Sequence, residues 1–440
     1  MSRQAYRYAL DLSDRQRGLL ASHAGSARYA WNWGLRLVVD AVAAHKAGDT
    51  SASIPSAISL HRAWNAWKKG EDGIAWWTQV SKCAPQEAFR DLESGLHAFW
   101  ESRAGRRPGP RVRFPRFKKK GRCRDSFRQT GAIHVEARHV RLPRLGRLRL
   151  CEEAAPVLAR IQAGQAHISA ATVSRVAQRW YVSFAVEVER AQPASNGHLD
   201  TVGVDLGVLA LATLSTGEVV QGPRALGSGL RRLRRLNRRH SRCQRGSANR
   251  RRASRRLARH HARVAALRRD HLHKLTTMLA KSHGRIVIED LNVRGMLGNR
   301  RLARRLSDAG FGELRRLLEY KCQWYGAELV VASRWYPSSK TCSQCGAIRA
   351  ELSLQDRVFR CPDCGRELDR DLNAAINLAG WAHPVVAGSA LETENACLSG
   401  GKTAPGAARH VEAGTEQQRA SDSEPTGLTG GRWSRTPICP

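Results

Sequence analysis

Four cysteines stand in metal-site spacing. Cys342-Ser-Gln-Cys345 and Cys361-Pro-Asp-Cys364 are two CxxC pairs with 15 residues between them. Glycine follows each pair, at Gly346 and Gly365, and permits the positive backbone angle of a tight knuckle turn. Two such knuckles supply four thiolates to a tetrahedral Zn²⁺. A redox pair, or four unrelated buried cysteines, accounts less well for two pairs at this separation. A closed four-thiolate site keeps no open position for chemistry, so one structural zinc is expected. The other seven of the 11 cysteines (83, 123, 151, 243, 322, 397 and 439) are scattered and expected to be inert.

A second set of residues is acidic. Asp205 ends a strand-like run, Thr201-Val-Gly-Val-Asp205, and Glu289 ends another, Arg285-Ile-Val-Ile-Glu289. Asp371 opens the helical pattern after the cysteine segment. Phosphodiester cleavage with two metal ions needs carboxylates that hold the ions about 4 Å apart. Oxygen ligands suit Mg²⁺ or Mn²⁺. Any one of these acids alone is better explained as an exposed or ion-paired carboxylate. Asp369 or Asp371 could also cap the helix that follows, and Asp371 could combine both roles.

The rest of the chain is built to meet polyanions. Its 440 residues carry 74 Lys and Arg against 38 acids, a formal charge of +36. Counterion release drives such a protein onto nucleic acid. A ribosomal or histone-like binder shares that charge, so charge alone does not specify chemistry. No apolar run is long enough to span a bilayer, and the charged N-terminus is no signal peptide. A cytoplasmic, nucleoid-associated protein without membrane partners is expected, in a compartment that keeps thiols reduced.

These residues need elements to position them. Residues 1–12 read as a strand with Tyr6, Tyr8 and Leu10 on one face. Phe89, Leu92, Leu96 and Phe99 mark a helix starting near Pro85. The tryptophans at 31, 33, 64, 67, 76, 77 and 100 are expected mostly in a core. Residues 103–124 hold eleven basic residues and no acid, with Phe114 and Phe117 interleaved; such a run grips phosphates and stacks on bases, or is a solvated loop. Residues 127–190 alternate as several strands, a candidate small barrel. Residues 224–269 hold 18 arginines and no acid, and their leucine spacing predicts two long helices joined near Gly246. Phe311, Leu314, Leu318, Cys322 and Tyr325 mark a helix, and Glu328 to Ala332 a strand. After Gly380 the periodicity and the basic character both end, which predicts disorder.

In combination the motifs resemble those of the TnpB family, the OrfB-type transposases of small insertion sequences, related to type V CRISPR nucleases. The matching residues are Val202-Gly-Val-Asp205-Leu-Gly207, Ile288-Glu289-Asp-Leu-Asn292, both CxxC-Gly knuckles and Asp369-Arg-Asp-Leu-Asn-Ala-Ala-Ile-Asn377. Tyr29-Ala-Trp-Asn-Trp-Gly-Leu35, Pro115-Arg-Phe-Lys118, Asp125-Ser-Phe-Arg128 and Trp335-Tyr-Pro-Ser-Ser-Lys340 match in the same order, over about residues 1–380. The resemblance implies an α+β multidomain protein. Its RNase H-like (RuvC) nuclease core would carry an inserted four-cysteine zinc ribbon, and an N-terminal β-barrel wedge domain a helical insert. It implies Asp205, Glu289 and Asp371 as the ligands of two catalytic metals, Cys342, Cys345, Cys361 and Cys364 as those of zinc, and guide RNA from the element's end and target double-stranded DNA as partners. Arg116, Lys118, Lys119 and Lys120, with Arg231, Arg232, Arg234, Arg235, Arg238 and Arg239, are the candidate nucleic-acid contacts.

The expected organisation is a first wedge strand at 1–12, a helical recognition region at 13–102 and a β-rich wedge at 103–199. The nuclease follows at 200–337 with an arginine-rich insertion at 224–280, then the ribbon at 338–367, the last nuclease helix at 368–380 and a disordered tail at 381–440. Two other readings compete with RNA-guided cleavage: a transposase joining DNA strands, and a non-catalytic nucleic-acid-binding regulator. The three acids weigh against the regulator, because a pure binder gains nothing from carboxylates facing phosphates. Oligomeric state is not legible.

Overall fold

A computed structural model describes residues 2–70, 75–189, 195, 197–353 and 356–381. The expected tail lies outside these residues except for Trp381, which ends the last helix.

Alternation builds the first half. Strand β1 (Ser2–Asp11) turns its even-numbered residues inward. Helix α1 (Asp14–Lys46) begins where Ser13 Oγ accepts from Gln16 N and Gln16 Oε1 accepts from Ser13 N, a reciprocal cap. Helices α2 (Ala57–Trp67) and α3 (Cys83–Arg103) follow. Then come β2 (Ser126–Gln129), β3 (His134–Val135), β4 (His139–Leu142), β5 (Gly146–Leu150), α4 (Ala155–Gln162), β6 (Ala166–Val176) and β7 (Arg179–Val188). The seven strands are ordered β2-β6-β7-β1-β5-β4-β3. No pairing among the described residues closes this sheet into the barrel the resemblance implied. The helices are not a separate body either. Leu20, Leu35, Trp64 and Phe89 share one hydrophobic core with Leu148, Val173 and Phe184 of the sheet. Trp31 and Trp64 are buried there, as their clustering predicted, whereas Trp100 is exposed.

The second half is a mixed sheet. Strands β8 (Thr201–Asp205), β9 (Ala212–Leu214) and β10 (Val219–Val220) form an antiparallel meander. Helices α5 (Ala225–Arg242) and α6 (Ala248–Ser282), with Gly246 between them, fold as the leucine spacing predicted. Strand β11 (Arg285–Glu289) then pairs parallel to β8. Two short helices that periodicity did not reveal, α7 (Val293–Met296) and α8 (Ala303–Ala309), precede α9 (Phe311–Tyr325). Strand β12 (Glu328–Ala332) pairs parallel to β11 and completes the order β10-β9-β8-β11-β12. A hairpin of β13 (Val358–Arg360) and β14 (Glu367–Asp369) leads directly into α10 (Arg370–Trp381).

Helix α10 seals the sheet at one glycine. A Cβ on Gly203 would sit 1.9 Å from the carbonyl oxygen of Ala375 and 2.5 Å from the nitrogen of Ala379. Only a residue without a side chain lets the backbone of α10 lie this close to β8.

Between α6 and α9 a lysine is buried. Lys321 Nζ donates to the carbonyl of His273 (2.6 Å), Thr276 Oγ1 (2.8 Å) and Thr277 Oγ1 (2.6 Å), with no carboxylate among these partners. Burial pulls its pKa down from 10.5 to about 8. A base whose pKa falls on folding opposes folding while both states are protonated. The native state then gives up its proton first as pH rises, so stability increases between about pH 8 and 10.5. Relative to Lys321→Met, which does not titrate, the wild type should gain up to about 3 kcal/mol across that window. Below pH 8 the difference should be flat. Chemical denaturation of both proteins from pH 7 to 10.5 checks this, and parallel curves would mean that Lys321 is not desolvated.

Candidate active site and metal centre

The three acids meet at one edge of the mixed sheet. In the parallel pair of β8 and β11, Val204 faces Ile288. Asp205 and Glu289 are therefore the next residues at neighbouring strand ends, about 5 Å apart along the backbone. Asp371 arrives from the first turn of α10, which packs across β8. Burial pushes the Asp205 carboxyl up to about 8, and the charges of Glu289 and Asp371 push in the same direction against Arg370. Two further carboxylates beside a desolvated one make a site that wants cations.

Separate groups hold Glu289 and Asp371. Ser338 Oγ donates to Glu289 Oε1 at 2.5 Å. Arg370 donates to Asp371 Oδ1 through Nε at 3.3 Å and Nη2 at 3.2 Å, and Arg357 lies 3.9 Å from Asp371 Oδ2. The carboxylates do not converge as the thiolates do: among the described residues, the four cysteines alone bring their ligand atoms into one metal-sized cluster. The neighbouring Asp290 belongs to another network, paired with Arg315 and Arg334.

The structure separates Asp369 from Asp371 at the start of α10. Asp369 Oδ1 accepts from Asp371 N (2.9 Å) and Leu372 N (3.0 Å), so Asp369 caps α10. Asp371 does not combine ligand and cap, as the sequence allowed. Asp369→Ala should cost about 1 kcal/mol of helix stability and keep cleavage within roughly tenfold of wild type. Asp371→Ala should keep the helix and lose cleavage. Parallel cleavage and melting assays decide between them, and the opposite pattern would reverse the assignment.

The ribbon is preshaped for metal. Cys342 and Cys364 Sγ are 3.6 Å apart, Cys345 and Cys361 Sγ 3.5 Å, and all four lie within 4.8 Å of one another. A tetrahedron with metal–sulfur bonds of about 2.3 Å has sulfur–sulfur edges of roughly 3.8 Å. The donor set fits zinc. Gly346 and Gly365 take φ +77° and +71°, the turn geometry for which glycine was needed.

Sequence reasoning assigned no role to the residues that tie this ribbon to the acids. Asn373 and Asn377, one turn apart on α10, both donate to the carbonyl of Thr341, at 2.7 and 2.6 Å. Asn373 Oδ1 also accepts from Ser343 N, and Asn377 donates to the carbonyl of Ser338. Helix, ribbon entry and the serine on Glu289 thus form one network. The i, i+4 spacing of the asparagines was the only local signal.

The candidate contacts to nucleic acid fall into two groups. On α5, Arg231, Arg232, Arg234, Arg235, Arg238 and Arg239 are all exposed, and Arg231, Arg234 and Arg238 line an open groove with Asn237. Asp308 anchors this helix by accepting from Leu226 N and Gly227 N at its first turn while binding Arg268. In the other run, Arg116, Lys119 and Lys120 are exposed and Phe117 is 47% exposed beside them. Lys118 differs: its ammonium lies 3.4 Å from the Trp31 ring centre, burial lowers its pKa, and its backbone is clasped by Asn32. The structure gives Lys118 a packing position, unlike the three other basic residues.

Clustered acids, a thiolate ribbon and exposed arginine helices define a protein that acts on nucleic acid. Family profiles match as "Helix-turn-helix domain" over residues 1–47, "Probable transposase" over 183–300 and "Cas12f1-like, TNB domain" over 311–378. The first of these spans β1 and α1, a strand and one continuous helix. A relative from Mycobacterium tuberculosis (strain CDC 1551 / Oshkosh) is 39% identical, with 96% of this chain and 95% of the relative covered. Relatives from Streptomyces pristinaespiralis (37% identical; 86% and 88% covered) and Escherichia coli K12 (31%; 87% and 93%) are also full-length matches. All three bear the name "Putative RNA-guided DNA endonuclease". A chain in a solved Cas12f1–sgRNA–target DNA complex matches at 12% identity and a TM-score of 0.32, with 86% of this chain and 99% of that one covered; so loose a superposition supports no statement about either. The chain belongs to the TnpB family, the OrfB-type proteins of insertion sequences.

Proposed function

We propose that the protein is an RNA-guided DNA endonuclease that cleaves phosphodiester bonds by two-metal catalysis on an RNase H-like core. One observation carries the reading. A chain matched nearly end to end by relatives of that name keeps three carboxylates at one sheet edge, Asp205 and Glu289 on adjacent parallel strands and Asp371 on the helix sealed against them. A binding protein has no use for a desolvated carboxyl beside two further acids amid so much positive charge.

Asp205, Glu289 and Asp371 would hold Mg²⁺ or Mn²⁺, which would supply an activated water and counter-charge for the leaving oxygen. Ser338 fixes the rotamer of Glu289, and Arg370 holds one oxygen of Asp371. The cysteines hold one structural zinc and so fix the start of α10. The α5 arginines and the exposed basic residues near Phe117 grip the guide RNA and target DNA through their backbones.

Sequencing the RNA that co-purifies with the protein tests the reading. A discrete RNA from the element's end, whose exchanged guide segment redirects cutting to a matching DNA, is the expected result. The match to "Probable transposase" favours a second reading, strand transfer. Joined DNA products formed without RNA would establish it and overturn the first.

A further inference from the structure

We propose that Trp335 is a stacking platform for a base of the DNA strand at the carboxylate site. The inference rests on the nuclease reading of that site. Trp335 is 86% exposed, against 43% for Trp381 and 40% for Trp100. An indole left in water forgoes a large apolar burial, and single exposed apolar side chains are otherwise unremarkable. The placement of this one is what matters.

The segment that presents Trp335 is pinned on both sides to the acid site. Ala332, at the end of β12, is the register partner of Glu289. Trp335 follows three residues later, within roughly 10 Å along the chain. Before it, Arg334 is bound to Asp290, the residue after Glu289. After it, Tyr336 packs its ring 4.5 Å from that of Trp381 on α10 and donates to the carbonyl of Asn377. Two residues further on, Ser338 holds Glu289. Ser333 ties the turn together, its Oγ accepting from Trp335 N and its carbonyl from Tyr336 N. A turn fixed this way presents the indole to solvent only a few residues from the groups that hold Glu289.

Charge complements geometry. The exposed arginines of α5 lie on the insertion, and the nearest ones at the triad, Arg370 and Arg357, are engaged with Asp371. Carboxylates repel the strand that must enter, so a neutral π surface suits this position. Every base offers a face to it, which matches an enzyme whose sequence choice would come from pairing. Stacking on one aromatic shifts the seating of that one base roughly ten- to hundredfold, while overall affinity rests on guide pairing and basic contacts.

The test uses the full protein with its RNA and a paired target. Trp335→Ala should bind target as wild type does and cut roughly ten- to hundredfold more slowly in single turnover. Trp335→Phe should restore most of the rate. Abasic nucleotides placed one at a time near the cut should slow the wild type at one position and leave Trp335→Ala indifferent there. A 2-aminopurine at that position should be quenched by the wild type and not by Trp335→Ala, a readout that needs no cleavage. Wild-type cutting by Trp335→Ala, or quenching that is the same in both proteins at every position, would overturn the proposal. Failure of the wild type to cut in any divalent metal would instead sink the nuclease reading, and the quenching would still decide the role of Trp335.

Discussion

Asp205→Ala and Glu289→Ala should each cut DNA at least roughly 10²- to 10³-fold more slowly than wild type in Mg²⁺, with nucleic-acid binding nearly unchanged. Charge stabilisation at a reacting phosphate is worth that much even when only one donor is lost, and losing a metal ligand removes more than a donor. Binding should survive because it rests on other residues. The exposed arginines of α5 lie on the insertion between β10 and β11, away in sequence from either acid. Asp205→Asn refines the test, since it keeps volume and removes charge. If packing around β8 were the issue, the asparagine variant would cut; if ligation is the issue, it will not. Filter binding and single-turnover cleavage on the same preparations separate the two quantities. An alanine variant cutting at the wild-type rate would remove these residues from the mechanism.

Removing zinc should have a comparably large effect, reached by another route. The purified protein should contain about one zinc per chain bound by thiolates. Cys342→Ser, or prolonged chelation, should abolish cleavage although no cysteine touches the acids. The route runs through the network described above. The ribbon entry at Thr341 is gripped by Asn373 and Asn377, Asn377 also holds the carbonyl of Ser338, and Ser338 holds Glu289. A ribbon that loses its metal loses its folding free energy, and both Glu289 and the start of α10 lose their support. Proteolysis should then open first within 338–367. Metal-free protein that still cuts would disconnect the ribbon from the site.

What was legible in the chain follows from how local each signal is. A CxxC-Gly knuckle is complete within five residues, so the thiolate cluster could be read directly. Asp205 and Glu289 stood out because each ends a run of buried β-branched residues, and the structure places those runs side by side. Asp369 and Asp371 could not be separated, since both precede the same helix and only backbone hydrogen bonds assign the cap. Ser338, Asn373 and Asn377 act across 32 to 49 residues of chain, where no local pattern points. Lys118 stands in one run with Lys119 and Lys120, and contacts with Trp31 and Asn32, 86 or more residues back, distinguish it. Helices α7 and α8 are too short for periodicity to appear, and strand alternation could not show how the seven-stranded sheet ends.

The order in which the chain is made gives the seal at Gly203 a further meaning. A ribosome delivers β8 and its acid early, β11 and the second acid after the arginine helices, and α10 with the third only at residues 370–381. Contacts this distant in sequence form late, and domains are completed as synthesis proceeds. Until α10 settles against Gly203, a growing chain holds two of the acids and the exposed arginines of α5 without the third acid. Chains terminated before residue 370 would carry Asp205 and Glu289 without Asp371 and without the helix that covers Gly203.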